Sequence, residues 1–571
     1  MTAGVVLQLQ ESQTQFAMET DSLADWLVIQ LERLGITTYF GVPGGAIEPL
    51  LNALARRQRK GRIEIIPTRS EAGAAFAADG YFRANGRMAA CITTTGPGVS
   101  NLATATLSAF ADRIPMLLLT PRVPLARQGR GAFQDCTKDP FGSLSLLDTC
   151  TRFSAAVTHP KQLPYLLGQA LHFAESAPAG PVHLSIATDL LAGPVESILR
   201  NDFVHSIRRG VLIDEVAVVE LMATLAQARF PVFYVGDDAG TDAARLCDLA
   251  AKIGAAVVSS PAGKRWLMHL HRSYFGVVGF AGHSKALDAV QSADLVVTFG
   301  ATFDEFSTNA WTVFDPSRVF AVDRHAEFVY RLPGVRSVIS DTRTVVERIA
   351  DEVLPRRLES CNSLSVPPPS LVLSAIDGLV HPLDFMSWLS NSAGSNVVVH
   401  VDTGSSMAWS TRGLTRPNPD TYRVSMGACS MCWAIGAAIG AAVAKRQRVI
   451  CVTGDGAMLM SSLELTVAVE QQLPVTFVVL NDANLGMVSH GQRLSGAEMV
   501  ATRITPVSFA QIAQACGMVA MTVHSRSELD EVPLAWLRDA DGGPRLVDVK
   551  IDPDAVPPIG ERIAALKKGL D

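Results

Sequence analysis

The sequence predicts an α/β protein built from three consecutive doubly wound parallel-sheet domains. Two observations carry this. Apolar runs of strand length recur along the chain with helical patterns between them, which is the signature of parallel strands covered on both faces. The alternation also restarts twice, near Asp214 and near Val397, in a chain of 571 residues that is long enough for several domains.

Residues 1–20 are polar and aperiodic and read as a flexible tail. The first domain is placed at 21–190. Asp21 or Ser22 can cap a helix on which Leu23, Trp26, Leu27, Leu31 and Leu34 keep helical spacing, and Gly35 ends it. Strand runs follow at 36–40, 63–66, 88–94, 116–119 and 181–190. The second domain, 213–354, takes its strands from 231–235, 255–259, 295–300, 319–322 and 337–339. Gly236, Gly240 and Gly300 follow strand ends, where open α/β sheets bind ligands. Residues 355–377, with Pro367, Pro368 and Pro369 in a row, read as an extended linker. The third domain, 378–552, has strand runs at 397–401, 448–453, 475–480 and 546–551, and 553–571 is left as a C-terminal tail. Residues 426–444 carry no charge over a length that meets the membrane-span criterion. They are mostly Ala, Gly, Ser and Cys, so a close-packed buried helix is expected instead.

Composition excludes several classes. Apolar residues make up 48% and charged residues 18%, which is a packed globular chain and not a disordered one. The net charge of −6 leaves no basic footprint for nucleic acid and no polybasic membrane anchor. Nine scattered Cys do not form a disulfide framework and fit a reducing, cytoplasmic compartment. The first residues show no signal-peptide pattern.

Chemistry is concentrated in a few motifs. Gly454-Asp455-Gly456 follows an apolar strand, and Asn481-Asp482 follows the next. Two adjacent parallel strands would bring both to one carboxyl edge. There, freed backbone N–H groups hold phosphate and hard carboxylate oxygens suit Mg²⁺. Alone, Gly-Asp-Gly is an ordinary turn. Arg69-Ser70-Glu71 opens a helix whose first turn has one acid, a position that the helix dipole favours for any carboxylate. Thr95-Gly96-Pro97-Gly98 and Gly41-Val42-Pro43-Gly44-Gly45-Ala46 read equally as plain strand-to-helix turns. Cys429-Ser430-Met431-Cys432 has the spacing of a redox pair or half a zinc site, but without a second pair it reads as buried core or cofactor wall. The twelve His show no close ligand spacing.

Taken in order, these motifs resemble the thiamine-diphosphate-dependent 2-keto-acid enzymes. The run is Gly-Val-Pro-Gly-Gly-Ala, Arg-Ser-Glu with Ala-Ala-Asp-Gly-Tyr, Gly-Pro-Gly-Val-Ser-Asn-Leu, Gly-Asp-Gly and Asn-Asp. Ala132-Phe133-Gln134-Asp135 and Asn484-Leu485-Gly486-Met487-Val488 point to the acetohydroxyacid (acetolactate) synthase branch. The resemblance spans about residues 21–552. It implies three α/β domains: pyrimidine-binding, central and diphosphate-binding.

The resemblance also implies roles. Glu71 would bond the pyrimidine N1′ and promote the tautomer from which the thiazolium C2 loses its proton. Gly45 would bring a backbone group to the reacting centre, and Met431 would be the apolar wedge that bends the cofactor. Gly96, Asn101, Ser405, Ser406, Gly454, Asp455, Gly456, Ala457, Met458, Asn484 and Met487 would contact the cofactor. Asp455, Asp482 and Asn484 would ligate Mg²⁺, and Phe133, Gln134, His490 and Gly491 would line the substrate site. In this family Glu71 would come from one chain and the diphosphate residues from another, which implies a homodimer or homotetramer.

Four positions depart from the branch. Ser70 stands where His is usual, and Asp482 where Asn is usual. Gly491 replaces the Trp of the biosynthetic synthases, which should open the acceptor site, with His490 and Gln492 offering hydrogen bonds. Thr302 replaces the Arg of flavin-containing members, which leaves FAD open. The expected activity is decarboxylation of pyruvate or a related 2-keto acid and transfer of the acyl unit to a second carbonyl compound. The alternatives are a simple decarboxylase or lyase, and a non-catalytic partner subunit of the same fold.

Overall fold

The computed structural model describes residues 21–135, 142–195, 213–267, 271–352 and 378–568. The tail at 1–20 and the linker expected at 355–377 lie outside these residues. Three parallel sheets of six strands each organise the chain.

The first sheet holds β1 (Thr38–Gly41), β2 (Glu64–Pro67), β3 (Ala90–Ile92), β4 (Leu117–Arg122), β5 (Phe153–Val157) and β6 (Val182–Ala187), in the order β2-β1-β3-β4-β6-β5. The second holds β7 (Pro231–Val235), β8 (Ala256–Ser259), β9 (Tyr274–Val277), β10 (Leu295–Phe299), β11 (Val319–Asp323) and β12 (Arg336–Ile339), ordered β12-β11-β10-β7-β8-β9. The third holds β13 (Val398–Val401), β14 (Tyr422–Arg423), β15 (Val449–Gly454), β16 (Val475–Asn481), β17 (Val519–Val523) and β18 (Arg545–Lys550). Its order, β14-β13-β15-β16-β18-β17, repeats the first. In such sheets the order reverses at one point, between β1 and β3, β7 and β10, or β13 and β15, and the crevice at the carboxyl ends there receives ligands.

The interior strands match the apolar runs because both of their faces are buried: β4, β7, β10, β11 and β16 are buried almost throughout. The four strands not foreseen, β5, β9, β14 and β17, are all edge strands. An edge strand packs fewer neighbours and needs no continuous apolar run. β5 and β17 are mostly half-buried, and β14 is only two residues long.

By contacts the chain divides into two compact units. One contains the residues up to 209 with 427–446 and 461–473, and the other contains 210–426, 447–460 and 474 onward. The first unit therefore recruits segments of the third sequence domain, which no reading of boundaries along the chain foresaw.

Ser22 caps the first helix, Leu23–Arg33, by accepting from the Asp25 N–H at 3.2 Å. In the same unit the uncharged segment does form a buried helix, Trp433–Lys445, but it starts later than expected. Cys429 and Cys432 have φ of +49° and +74°, so the Cys-x-x-Cys segment is the turn before the helix and not part of it. Among the described residues no helix is long and apolar enough to cross a membrane. The helix lies so close to Glu71–Asn85 that a Cβ on Gly440 would sit 1.8 Å from the Ala77 carbonyl oxygen, and one on Gly80 would sit 2.0 Å from that of Ala437. The small residues that imitate a membrane span are thus there for backbone approach. The Trp433 indole donates to Asp79 at 3.1 Å, and Arg83 bridges Asp79 and Asp112, each at 2.6 Å.

In the second unit, residues expected to be a C-terminal tail include a helix, Gly560–Lys568, whose Arg562 pairs with Glu305 at 2.5 Å.

Candidate active site

In the first unit, the loops after β2 and β3 converge on Glu71. Ser70 caps the Glu71 helix, accepting from the Gly73 N–H at 2.9 Å, and its hydroxyl donates to Glu464 at 2.8 Å. Ser70 thus ties the helix start to residues 461–473. Burial holds the Glu464 carboxyl above its ordinary value, an effect that hydrogen bonds from Ser70 and Arg69 only partly oppose.

Glu71 is buried, 7% exposed, which a carboxylate serving only the helix dipole has no need to be. One of its oxygens accepts from the Thr93 hydroxyl at 3.3 Å and the other from the Asn101 amide at 3.0 Å. Gly96 takes φ +68° at the turn into the helix Pro97–Ala111 and meets Gln134, whose carbonyl accepts from Thr95 at 3.3 Å. The structure therefore gathers Glu71, Gly96, Asn101 and Gln134 from the predicted set and adds Thr93. Thr93 carried no signal beyond following a strand. Gly45 is exposed, with nothing within 4 Å of a Cβ placed there. Phe133 is 87% exposed, and Met431 is half-buried in the turn before Trp433.

The second cluster lies in the second unit, at the carboxyl ends of β13, β15 and β16. These are neighbours in the third sheet, and the cluster straddles its reversal point. After β13, Gly404 adopts φ +122° and starts the helix Ser405–Gly413. The two serines there differ. Ser406 donates to the Asp402 carbonyl at 2.8 Å, so its hydroxyl is engaged, whereas the Ser405 hydroxyl is buried with no partner. Asp402 in turn accepts from Thr453 at 2.8 Å, which ties β13 to β15.

After β15, Asp455 is buried and accepts from the Gly456 N–H at 2.7 Å. After β16, the Asn484 N–H reaches both carboxylates, Asp455 at 3.3 Å and Asp482 at 3.2 Å. The Asn484 amide nitrogen donates to Ser489 at 2.8 Å, which leaves its Oδ1 buried without a partner. Burial raises the Asp455 and Asp482 pKa values, and for Asp482 the neighbouring Asp455 charge adds repulsion. A buried carboxylate, a half-buried one and an orphaned amide oxygen form a hard-oxygen donor set that a divalent cation would satisfy. The orphaned Ser405 hydroxyl beside a positive-φ turn likewise fits an anion. The site residues thus fit Mg²⁺ with a diphosphate. Ala457 and Met458 are fully buried, so only their backbone is available, and Met487 is half-buried.

The helix Gly486–Ser495 carries the proposed acceptor positions. Nothing lies within 4 Å of a Cβ built on Gly491. The expected polar neighbours are not free. Arg493 donates to His490 Nδ1, and the Pro553 backbone also hydrogen-bonds the ring. Gln492 exchanges hydrogen bonds with the Val500 backbone at 3.1 and 3.3 Å. Both side chains brace the loop.

The central sheet brings together a group that sequence spacing hid. Oxygens of Asp238 and Asp323 and a His325 ring nitrogen lie within 4.8 Å of one another at its carboxyl edge. His325 is 3.4 Å from Asp238, which follows a different strand, so no local pattern announced the set. Nearby, the Thr302 hydroxyl is turned onto Asp304 and its carbonyl accepts from Arg331 at 3.1 Å.

Comparison with known proteins gives matches to three family models in order: "Thiamine pyrophosphate enzyme, N-terminal TPP binding domain" over 21–141, "central domain" over 218–349 and "C-terminal TPP binding domain" over 402–549. The large subunit of acetolactate synthase isozyme 2 from Escherichia coli K12 is 30% identical over 547 residues, covering 93% of this chain and 95% of that protein. An acetolactate synthase from Arthrospira platensis is 30% identical, covering 92% and 94%. The mitochondrial catalytic subunit of acetolactate synthase from Saccharomyces cerevisiae is 28% identical, covering 91% and 79%.

Proposed function

Because the chain belongs to the thiamine pyrophosphate enzyme family, we propose that it is an acetolactate synthase-like carboligase. It would decarboxylate pyruvate or a related 2-keto acid and transfer the acyl unit to a second carbonyl compound. The observation that carries this reading is the donor set at the ends of β13, β15 and β16: Asp455, Asp482, the orphaned Asn484 Oδ1 and the orphaned Ser405 hydroxyl. Asp455, Asp482 and Asn484 would hold Mg²⁺, and Ser405 with the Gly404 and Gly454–Gly456 backbone would hold the diphosphate. Bound thiamine diphosphate supplies a carbon nucleophile at its thiazolium C2. Glu71, held by Thr93 and Asn101, would share a proton with the pyrimidine N1′. In this reading Glu71 and the diphosphate residues of one centre belong to two chains, so the working form is a homodimer or a larger homo-oligomer in the cytoplasm.

The test is pyruvate turnover with Mg²⁺, thiamine diphosphate and a panel of carbonyl acceptors, with products identified by mass spectrometry. A carbon–carbon bonded product supports carboligation. Free aldehyde alone means a decarboxylase, and no CO₂ release means a partner subunit.

Gly491 favours an acceptor larger than pyruvate, because no side chain fills that space. Gly491→Trp is expected to block such an acceptor while donor decarboxylation continues. Overpacking costs about 1–3 kcal/mol, so carboligation falls roughly ten- to a hundredfold. An unchanged rate with every acceptor would place Gly491 away from the pocket.

The reading includes no flavin, because Thr302 offers no cation. Dialysed protein is expected to be colourless or weakly yellow, and a stoichiometric flavin absorbance spectrum would overturn this.

A further inference from the structure

The helix Ser405–Gly413 has an unusual C-terminus. A helix leaves its last carbonyls without intrahelical donors, and a buried end needs partners for them. Here Ser410, Thr411 and Leu414 are fully buried. The partners come from the central sheet's loops. Lys264, after β8, donates its ammonium to the carbonyls of Ser410, Thr411 and Leu414 at 2.7, 2.8 and 2.6 Å. His283, after β9, accepts from the Val277 N–H at Nδ1, at 3.0 Å, so its Nε2–H donates to the Arg412 carbonyl at 3.2 Å. Two side chains of one α/β layer thus close the helix end of another. Lys264 is 5% exposed, with the Tyr422 ring 5.4 Å from its ammonium.

At about 1.5 Å per residue this helix is about 14 Å long. Its other end is Gly404–Ser405, where the diphosphate is placed. We propose that Lys264 is a positioning residue for that diphosphate, a role that rests on the reading above. It pins the helix at its C-terminus and thereby fixes the Gly404–Ser405 turn, and it adds a buried positive charge at that helix end. Three carbonyl acceptors and the negative end of the helix dipole favour the charged ammonium, against burial, which draws its pKa down to about 7. His283, lowered to about 4 by burial and by the Lys264 charge, stays neutral in its donating tautomer.

The test measures equilibrium binding of Mg²⁺–thiamine diphosphate and of Mg²⁺–pyrophosphate by calorimetry. Lys264→Met is expected to weaken both about tenfold, the scale of a partly buried charge at a helix end, with kcat at saturating cofactor within about twofold of wild type. A loss confined to folding would lower the active fraction and leave the Kd of the folded protein unchanged. His283→Leu removes one carbonyl partner and keeps the charge, and a weakening of about threefold is expected. If Lys264→Met does not fold, His283→Leu decides. Wild-type affinity in the folded variants overturns the proposal and leaves the functional reading intact. Wild-type protein that binds neither ligand overturns both.

Discussion

Glu71→Gln lowers turnover by about 10²–10⁴-fold while the protein stays folded, the usual scale for a lost proton-transfer group. Gln keeps one acceptor oxygen. Thr93 and Asn101 both donate to Glu71 at present; the Gln NH2 puts a donor where one acceptor was, so the Thr93 hydroxyl must turn to accept, and both bonds lose their charge. That costs stability of about 0.5–1.5 kcal/mol, visible as a small drop in melting temperature. Cofactor affinity is expected to fall less than turnover, because in the proposed site the diphosphate is anchored elsewhere. A purely structural Glu71 forecasts the reverse, a stability loss with activity retained. Hydrogen–deuterium exchange at C2 of the bound cofactor separates the two. Equal exchange rates in wild type and variant would remove Glu71 from the mechanism.

Asp455→Ala is expected to lose Mg²⁺-dependent cofactor binding, with affinity falling at least about a hundredfold if a charged ligand is worth about 3 kcal/mol. The Gly456 and Asn484 N–H groups lose an acceptor, and Asp482 loses the neighbour that repels it. These changes are local, so the circular dichroism spectrum should be unchanged. Asp482→Asn is the companion control. It keeps an oxygen ligand, relieves the repulsion and should remain active. Unchanged thiamine diphosphate affinity in Asp455→Ala, measured with and without Mg²⁺, would refute the metal assignment.

The interior strands and the two acidic loops were legible in the sequence because their causes are local. A strand covered on both faces must be apolar throughout, and a loop at its carboxyl end shows its Gly and Asp in a row, as at β15 and Gly454-Asp455-Gly456. Four of the six edge strands were not legible, since half-exposed residues such as those of β5 and β17 have no distinctive pattern. Position alone also could not apportion partners. Ser405 and Ser406 are identical neighbours in sequence, yet one hydroxyl is spent on Asp402 and the other is left over. Gln492 looked free for substrate and is held by Val500.

By itself the sequence determined the three-sheet α/β architecture and named the candidate acid at Glu71 and the candidate oxygen ligands at Asp455 and Asp482, because each depends on residue type beside a strand end. Only the tertiary structure decided what surrounds them. It buried Glu71 between Thr93 and Asn101, packed residues 427–446 onto the Glu71 helix through Gly80 and Gly440, and closed the helix Ser405–Gly413 with Lys264 and His283. Hydrogen bonds and close contacts form between residues tens to hundreds of positions apart, and no local pattern records which donor meets which acceptor.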